Sequence, residues 1–216
     1  MSGVCANCGA AIKTGLLGSN FQLREDDVAF INLAHGLEMI DGCEKCARPL
    51  LDASPHKISG QLRAKRKSAE TLLSCLPLAS IHSPQGWTYR TLGLVTAQTV
   101  GGTGLFSDVT SAFTDLFGAQ SGAYNQKLRN AEESCRSSLR AQAFQLGGNA
   151  VVGVDVDYAE VGGTRAMLMV CMTGTAVDVE EVSMLGPDFA KKLDQLQSDT
   201  ASVRELAGIA RKRGIE

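Results

Sequence analysis

Histidine is scarce in this chain, with three in 216 residues and none of them in a motif. A Walker-type phosphate loop is missing, because the GGTG at 101–104 is followed by neither Lys nor Ser/Thr. There is no GxSxG elbow, no HExxH and no Cys–His pair in a catalytic setting. An enzyme would have to work with carboxylates alone, and no such constellation is present, so no enzymatic activity is expected. No apolar run is long enough to span a bilayer, and the opening MSGVCANCGA lacks the basic start and apolar stretch of a signal peptide. The expected compartment is the cytoplasm, with no membrane partner. A net charge of −2 gives no global attraction to nucleic acid or anionic lipid. Internal repeats and low-complexity tracts are absent as well.

What remains is an ordinary globular composition, 44% hydrophobic and 20% charged, long enough to bury a core. It also holds seven cysteines. In a reducing compartment these argue for metal binding or burial and against a disulfide framework. Four of them fall in the first 52 residues as two CxxC pairs, Cys5 and Cys8 in CANC, Cys43 and Cys46 in CEKC. A CxxC turn points both sulfurs at one ion while backbone N–H groups support the thiolates, and Gly9 lets the first turn close. Two such pairs predict a structural Zn²⁺ on Cys5, Cys8, Cys43 and Cys46. The 34 residues between the pairs exceed the roughly 15–20 of compact four-cysteine sites. REDDVAFINLAHG accounts for the extra length as a helix started by Asp26 or Asp27 and stopped by Gly36. Four sulfurs leave no open position for a catalytic water. His35 is the one alternative ligand nearby, and beside a complete thiol set it reads as a bystander. Redox work is the lesser reading, since a thioredoxin-type CxxC follows a strand and nothing before Cys5 could be one.

Residues 1–52 thus form a four-cysteine module, and 53–76 a basic linker or helix. There Lys57, Arg63, Lys65, Arg66 and Lys67 stand against a single Glu70. Residues 77–182 turn to small, glycine and β-branched residues. WTYRTLGLVTAQTV reads as a strand pair or one long bent strand. GLFSDVTSAFTDLFG reads as a short amphipathic helix stopped by Gly118. A longer helix is expected over about 121–146, with Tyr124, Leu128, Ala131, Cys135, Leu139, Ala143 and Leu146 as its inner stripe. Gly147 and Gly148 should end it with positive φ. NAVVGVDVDY and RAMLMVCMTGTAVDVE are strands joined by AEVGGTR. The order suggests an α+β layer with the long helix over one sheet face. Residues 183–216 close the chain as two short amphipathic helices, with apolar stripes of Phe189, Leu193, Leu196, Val203, Leu206 and Ile209.

The stretches YRTLGLV, TVGGT, LFSD, SGAY, LGGNAVVGVDVDY and MLMVCMTGTAV occur in one order over residues 80–181. In this they resemble the YbjQ-type domain, a bacterial family of unknown function labelled heavy-metal-binding. The resemblance implies a dodecin-like β-α-β-β domain that assembles as a ring-shaped homopentamer and has no established enzymatic activity. This chain has Thr96-Ala97-Gln98 where the family commonly has Ser-Gly-Glu, Gly104 in place of Asn, and Cys171 in place of a small polar residue. The N-terminal piece resembles the short zinc-ribbon or zinc-knuckle modules that bacteria append to other domains.

Strand alternation in VVGVDVDY puts Asp155 and Asp157 on one face and Val152, Val154, Val156 and Tyr158 on the other, toward the helix. In a pentamer the two carboxylates would build a ring able to hold hard cations, against the plainer reading of a solvated strand face. Met167, Met169 and Cys171 share a face and could hold Cu(I), although burial as core fillers is the stronger reading. Cys135 reads as packing, and Cys75 has no assignable role. The run from Arg63 to Lys67 carries no interleaved aromatics, so a solvated helix is favoured over a nucleic-acid contact. Two functions follow. One is an oligomeric, non-enzymatic scaffold that displays a zinc module and captures a protein partner through that module or the C-terminal helices. The other is metal sequestration by the ring.

Overall fold

The computed structural model describes residues 3–12, 20–101, 122–161 and 167–215, and divides into two compact units, residues 1–68 with 197–216 and residues 69–196. The helix expected at 104–118 lies outside the described residues, as do residues 162–165 of the expected AEVGGTR connection, whose first three residues instead continue the preceding strand.

In the first unit β1 (Gly3–Val4) and β2 (Ala11–Ile12) form a small antiparallel hairpin. Helix α1 (Glu25–His35) starts one or two residues earlier than the aspartates predict. Arg24 is the extended residue ahead of it and offers no side-chain cap. Asp26 and Asp27 instead lie with Glu25 in the first turn, where carboxylates complement the positive end of the helix. Gly36, in the left-handed region, ends the helix as expected. Helix α2 (Glu44–Leu73) is continuous from the second cysteine pair through the whole basic passage, so the boundary expected at 52/53 falls inside it. Pro49 and Pro55 each remove an N–H from its ladder. Beside them the Leu50 carbonyl accepts from the Ser54 hydroxyl at 2.7 Å and from His35 Nε2 at 3.0 Å. That contact places the His35 proton on Nε2.

The core of this unit gathers Phe30, Ala34, Ile58, Leu206 and Ala210. The last two come from α4 (Phe189–Arg213). The two C-terminal patterns are one helix, and Asp199 explains why the polar SDTAS interruption does not break it. Its side chain is 1% exposed and accepts from Lys65 of α2 at 2.6 Å, so the interruption carries a buried anchor within the helix. Lys65 is thereby withdrawn from the basic run.

In the second unit β3 (Tyr89–Gly101), β4 (Ala150–Val161) and β5 (Met167–Val179) form an antiparallel sheet in the order β3–β5–β4. β3 is one long strand with an irregularity between Thr91 and Gly93. Helix α3 (Gly122–Gln145) covers one face. Its Ala131, Cys135, Leu139 and Ala143 are buried against Val95, Val151, Val170, Met172 and Ala176. Three of the four helix residues are small, which lets the backbone approach the sheet. Leu146, expected in that stripe, is 49% exposed because the helix has ended and Gly147 has turned the chain at φ 83°. Gly148 does not share the positive φ; a Cβ there would stand 2.8 Å from the Val177 carbonyl oxygen.

The alternation expected in β4 is broken by a bulge between Val152 and Asp155, where Gly153 takes φ 60°. The extra residue reverses the faces. Val151, Val154 and Val156 therefore pack toward α3, while Val152 lies in a separate cluster with Ala150, Val177 and Val179 under Trp87, Tyr89 and Leu185. Leu76, Phe189 and Leu196 form a further cluster with Leu72, Phe144 and Leu193.

Candidate metal centre

The hairpin β1–β2 carries Cys5 and Cys8 in its turn. The Cys5 N–H donates to the Ala10 carbonyl and the Gly9 N–H to the Cys5 carbonyl, both at 2.8 Å. Gly9 closes this turn at φ 70°, which other residues rarely adopt. Cys43 and Cys46 come from the start of α2, where the Cys46 and Ala47 N–H groups donate to the Cys43 carbonyl at 3.1 and 2.8 Å. Residues on either side of α1 are tied to each other. Leu23 N–H donates to the Gly42 carbonyl and Glu44 N–H to the Phe21 carbonyl, and Gln22 bridges Cys43. The long insert is therefore spent on α1, with Leu23, Val28, Ile31 and Ala47 packed beneath the second pair.

All four sulfurs lie within 4.8 Å of one another. The separations are 3.7 Å for Cys8–Cys43 and 3.8 Å for both Cys5–Cys46 and Cys43–Cys46. Cys5 and Cys43 are almost fully buried, Cys46 is half-buried and Cys8 is exposed. Soft thiolates converging from a tight turn and a helix start suit a tetrahedral thiophilic ion, and this donor set leaves no vacant position. Protonation differs across the set. Burial raises Cys43, but the Cys46 backbone N–H, the Asn20 amide, the Cys8 thiol and the Lys45 backbone N–H outweigh it and bring the pKa down to about 6. Cys8 is helped by the Ala10 N–H, yet desolvation and the neighbouring Cys43, Cys46 and Cys5 thiols push it up to about 12.

Three residues around the sulfurs carry no sequence signal. Asn7 donates to Cys46 Sγ at 3.5 Å, and Cys5 Sγ donates to Asp41 at 3.8 Å. Asn20 donates to the Ala11 carbonyl at 2.8 Å and accepts from the Lys45 N–H at 3.2 Å, linking hairpin to helix. Each is a single polar residue outside any periodic pattern, and only the folded contacts single it out.

Among the described residues no other set of three or more His, Cys, Asp or Glu side chains brings ligand atoms together. His35 stands outside the cluster, committed to Leu50. Asp155 and Asp157 are exposed on the sheet face away from α3, level with Thr173 and Cys171 of β5. Met169 and Cys171 share that face and are half-buried, so they are not core fillers; Met172 is the methionine of the core. The side chain of Met167 lies outside the described residues. Cys135 is core, donating to the Val170 carbonyl, and Cys75 is exposed. Tyr158 is half-exposed; its hydroxyl donates to Glu132 at 2.9 Å, and that carboxylate raises its pKa.

Among solved structures, the chain is similar to a protein of unknown function from Pediococcus pentosaceus ATCC 25745, assigned to the DUF74 family and determined at 2.73 Å. Identity is 18%, the match covers 48% of this chain and 96% of that one, and the TM-score is 0.32. The model of the YbjQ_1 family, described as "Putative heavy-metal-binding", matches residues 79–180. The second unit of this chain, with its long helix over a three-stranded antiparallel sheet, carries a domain of the YbjQ family.

Proposed function

We propose that this chain is a non-enzymatic, oligomeric scaffold of the cytoplasm that carries a structural zinc module in addition to its YbjQ domain. The observation that carries the reading is the convergence of four cysteine sulfurs within 4.8 Å, two of them almost fully buried. A closed four-sulfur set favours zinc held for structure over zinc held for catalysis. Cys5, Cys8, Cys43 and Cys46 would hold the ion, and the ion would tie the β1–β2 turn to α2. Assembly as a homopentamer follows from the family resemblance, and a ring would present several modules to one protein partner with a gain in avidity. The apolar stripes of α4 are an unsuitable capture surface, because Phe189, Leu196 and Leu206 are buried within the chain. The module itself is the better candidate.

Light scattering of the purified chain together with metal analysis tests this reading. A species near five times the 22.8 kDa chain mass, with one zinc per chain, is expected. A monomer at micromolar concentration, or a chain without metal, overturns it. Sequestration by the YbjQ domain is the second reading, favoured by Asp157 and Cys171 as neighbours on the sheet face away from α3. In a Cys5→Ser/Cys8→Ser variant, metal retained would support the domain as a site of its own, and metal falling to zero would exclude it.

A further inference from the structure

Ile40 is 93% exposed, the highest value among the large apolar side chains of the described residues. It sits in the turn 37–41, which is held in one shape. The Leu37 N–H donates to the Asn32 carbonyl at 3.1 Å. The Asn32 side chain donates to the Met39 carbonyl at 2.8 Å and accepts from the Met39 N–H at 2.9 Å. Leu37 is exposed as well, and Glu38 beside it is exposed with no ion-pair partner among the described residues. The turn therefore offers two apolar side chains and a carboxylate to solvent. Because it is ordered in advance, it forfeits little entropy when it binds.

The same unit holds a groove of about 580 Å³ between α1 and the end of α4, with a floor of Ala29, Phe30, Leu33 and Ile209. Arg213 is fixed at its edge. The guanidinium pairs with Asp27, donates to the Asp26 carbonyl at 2.6 Å and lies 4.7 Å from the centre of the Phe30 ring. With Arg213 and Asp27 neutralising each other, Arg24 and Lys212 stand against Asp26 alone, so the rim keeps a net positive charge. The volume is that of a small-ligand pocket, enough for more than one apolar side chain. We propose that the turn 37–41 of one copy docks in this groove of a second copy, with Ile40 on the apolar floor and Glu38 toward Arg24 and Lys212. No residue of the turn lines the groove of its own chain, and α1, about 16 Å long, separates the turn from Arg24 at the opposite end. The contact is heterologous: turn and groove are different surfaces, and every copy carries both. It needs neither zinc nor the YbjQ domain, and so stands apart from the reading above.

The test uses the full chain with photoreactive benzoylphenylalanine in place of Ile40. After irradiation, denaturing electrophoresis separates a link within one chain, at the single-chain mass, from a link between two chains, at twice that mass. Peptide mass spectrometry then locates the attachment. The expected result is a two-chain product joining position 40 to α1 or to the last turns of α4. The same probe in place of Val4, a site also exposed, should give no groove product, which separates docking from mere exposure. Reversing the rim with Arg24→Glu/Lys212→Glu should lower the yield about fivefold, the scale of exposed ion pairs, and adding Glu38→Lys should restore it. Links within single chains only, two-chain links outside the groove, or groove links from position 4 overturn the proposal. So does a yield that the reversal leaves unchanged or that Glu38→Lys fails to restore. A foreign acidic peptide or small anion retained in native mass spectrometry, with no two-chain product, gives the groove to another occupant and overturns it as well.

Discussion

Cys43 and Asn149 show how single side chains are given roles by their surroundings. The Cys43 pKa lies near 6 against an ordinary value of 9.0. The metal-free chain should therefore gain one thiolate, followed by its ultraviolet absorbance, as pH rises through about 6, and Cys43→Ser should remove that step. Because the folded value is the lower one, the thiolate's contribution to stability is complete above 9 and is lost as pH falls to about 6. Cys8 has the opposite sign: its protonated form favours the fold below 9, and that contribution is lost as pH climbs toward 12. Asn149 is 3% exposed and pairs with both backbone groups of Val179, accepting at 2.8 Å and donating at 3.0 Å. It acts as a fragment of strand at the end of β5. Asn149→Leu strands a buried N–H and C=O and should cost about 1–3 kcal/mol in a denaturant titration.

Among the elements, α3 and β4 hold the second unit together. Leu139 is fully buried between α3 and the sheet, so Leu139→Ala should destabilise by about 2–5 kcal/mol, while Leu146→Ala, at an exposed position past the helix end, should change little. Comparing the two midpoints of unfolding checks where the stripe ends. In β4 the bulge at Gly153 decides which valines meet the helix. A Cβ there would stand 2.9 Å from the His82 ring, on top of the positive φ. Gly153→Val should cost about 1–3 kcal/mol through backbone strain alone. Periodicity makes helix and strand visible in sequence, and α3, β3, β4 and β5 were all legible that way. A bulge changes the count without changing composition, so the assignment of Val152 to the helix face failed. The same limit joined the two C-terminal patterns into α4, since the burial of Asp199 beside Lys65 has no local signature.

For the molecule as a whole, an ion held by the four cysteines would couple folding to ligand. If the ion ties the β1–β2 turn to α2, a chelator should lower the unfolding temperature of the wild-type chain, and the Cys5→Ser/Cys8→Ser variant should show no such shift. Differential scanning of both proteins with and without chelator measures this.

Residue type and spacing alone determined the two cysteine pairs that form the cluster and the α+β order of the second unit, because thiol pairs and apolar periods are written within a few neighbouring residues. Only the tertiary structure decided that Cys8 faces Cys43 and stands open to solvent, that His35 serves a carbonyl, and that Asn7, Asn20 and Asp41 surround the sulfurs. Those relations join residues up to 41 positions apart, as Cys5 and Cys46 are, and they exist only once the chain has closed around them.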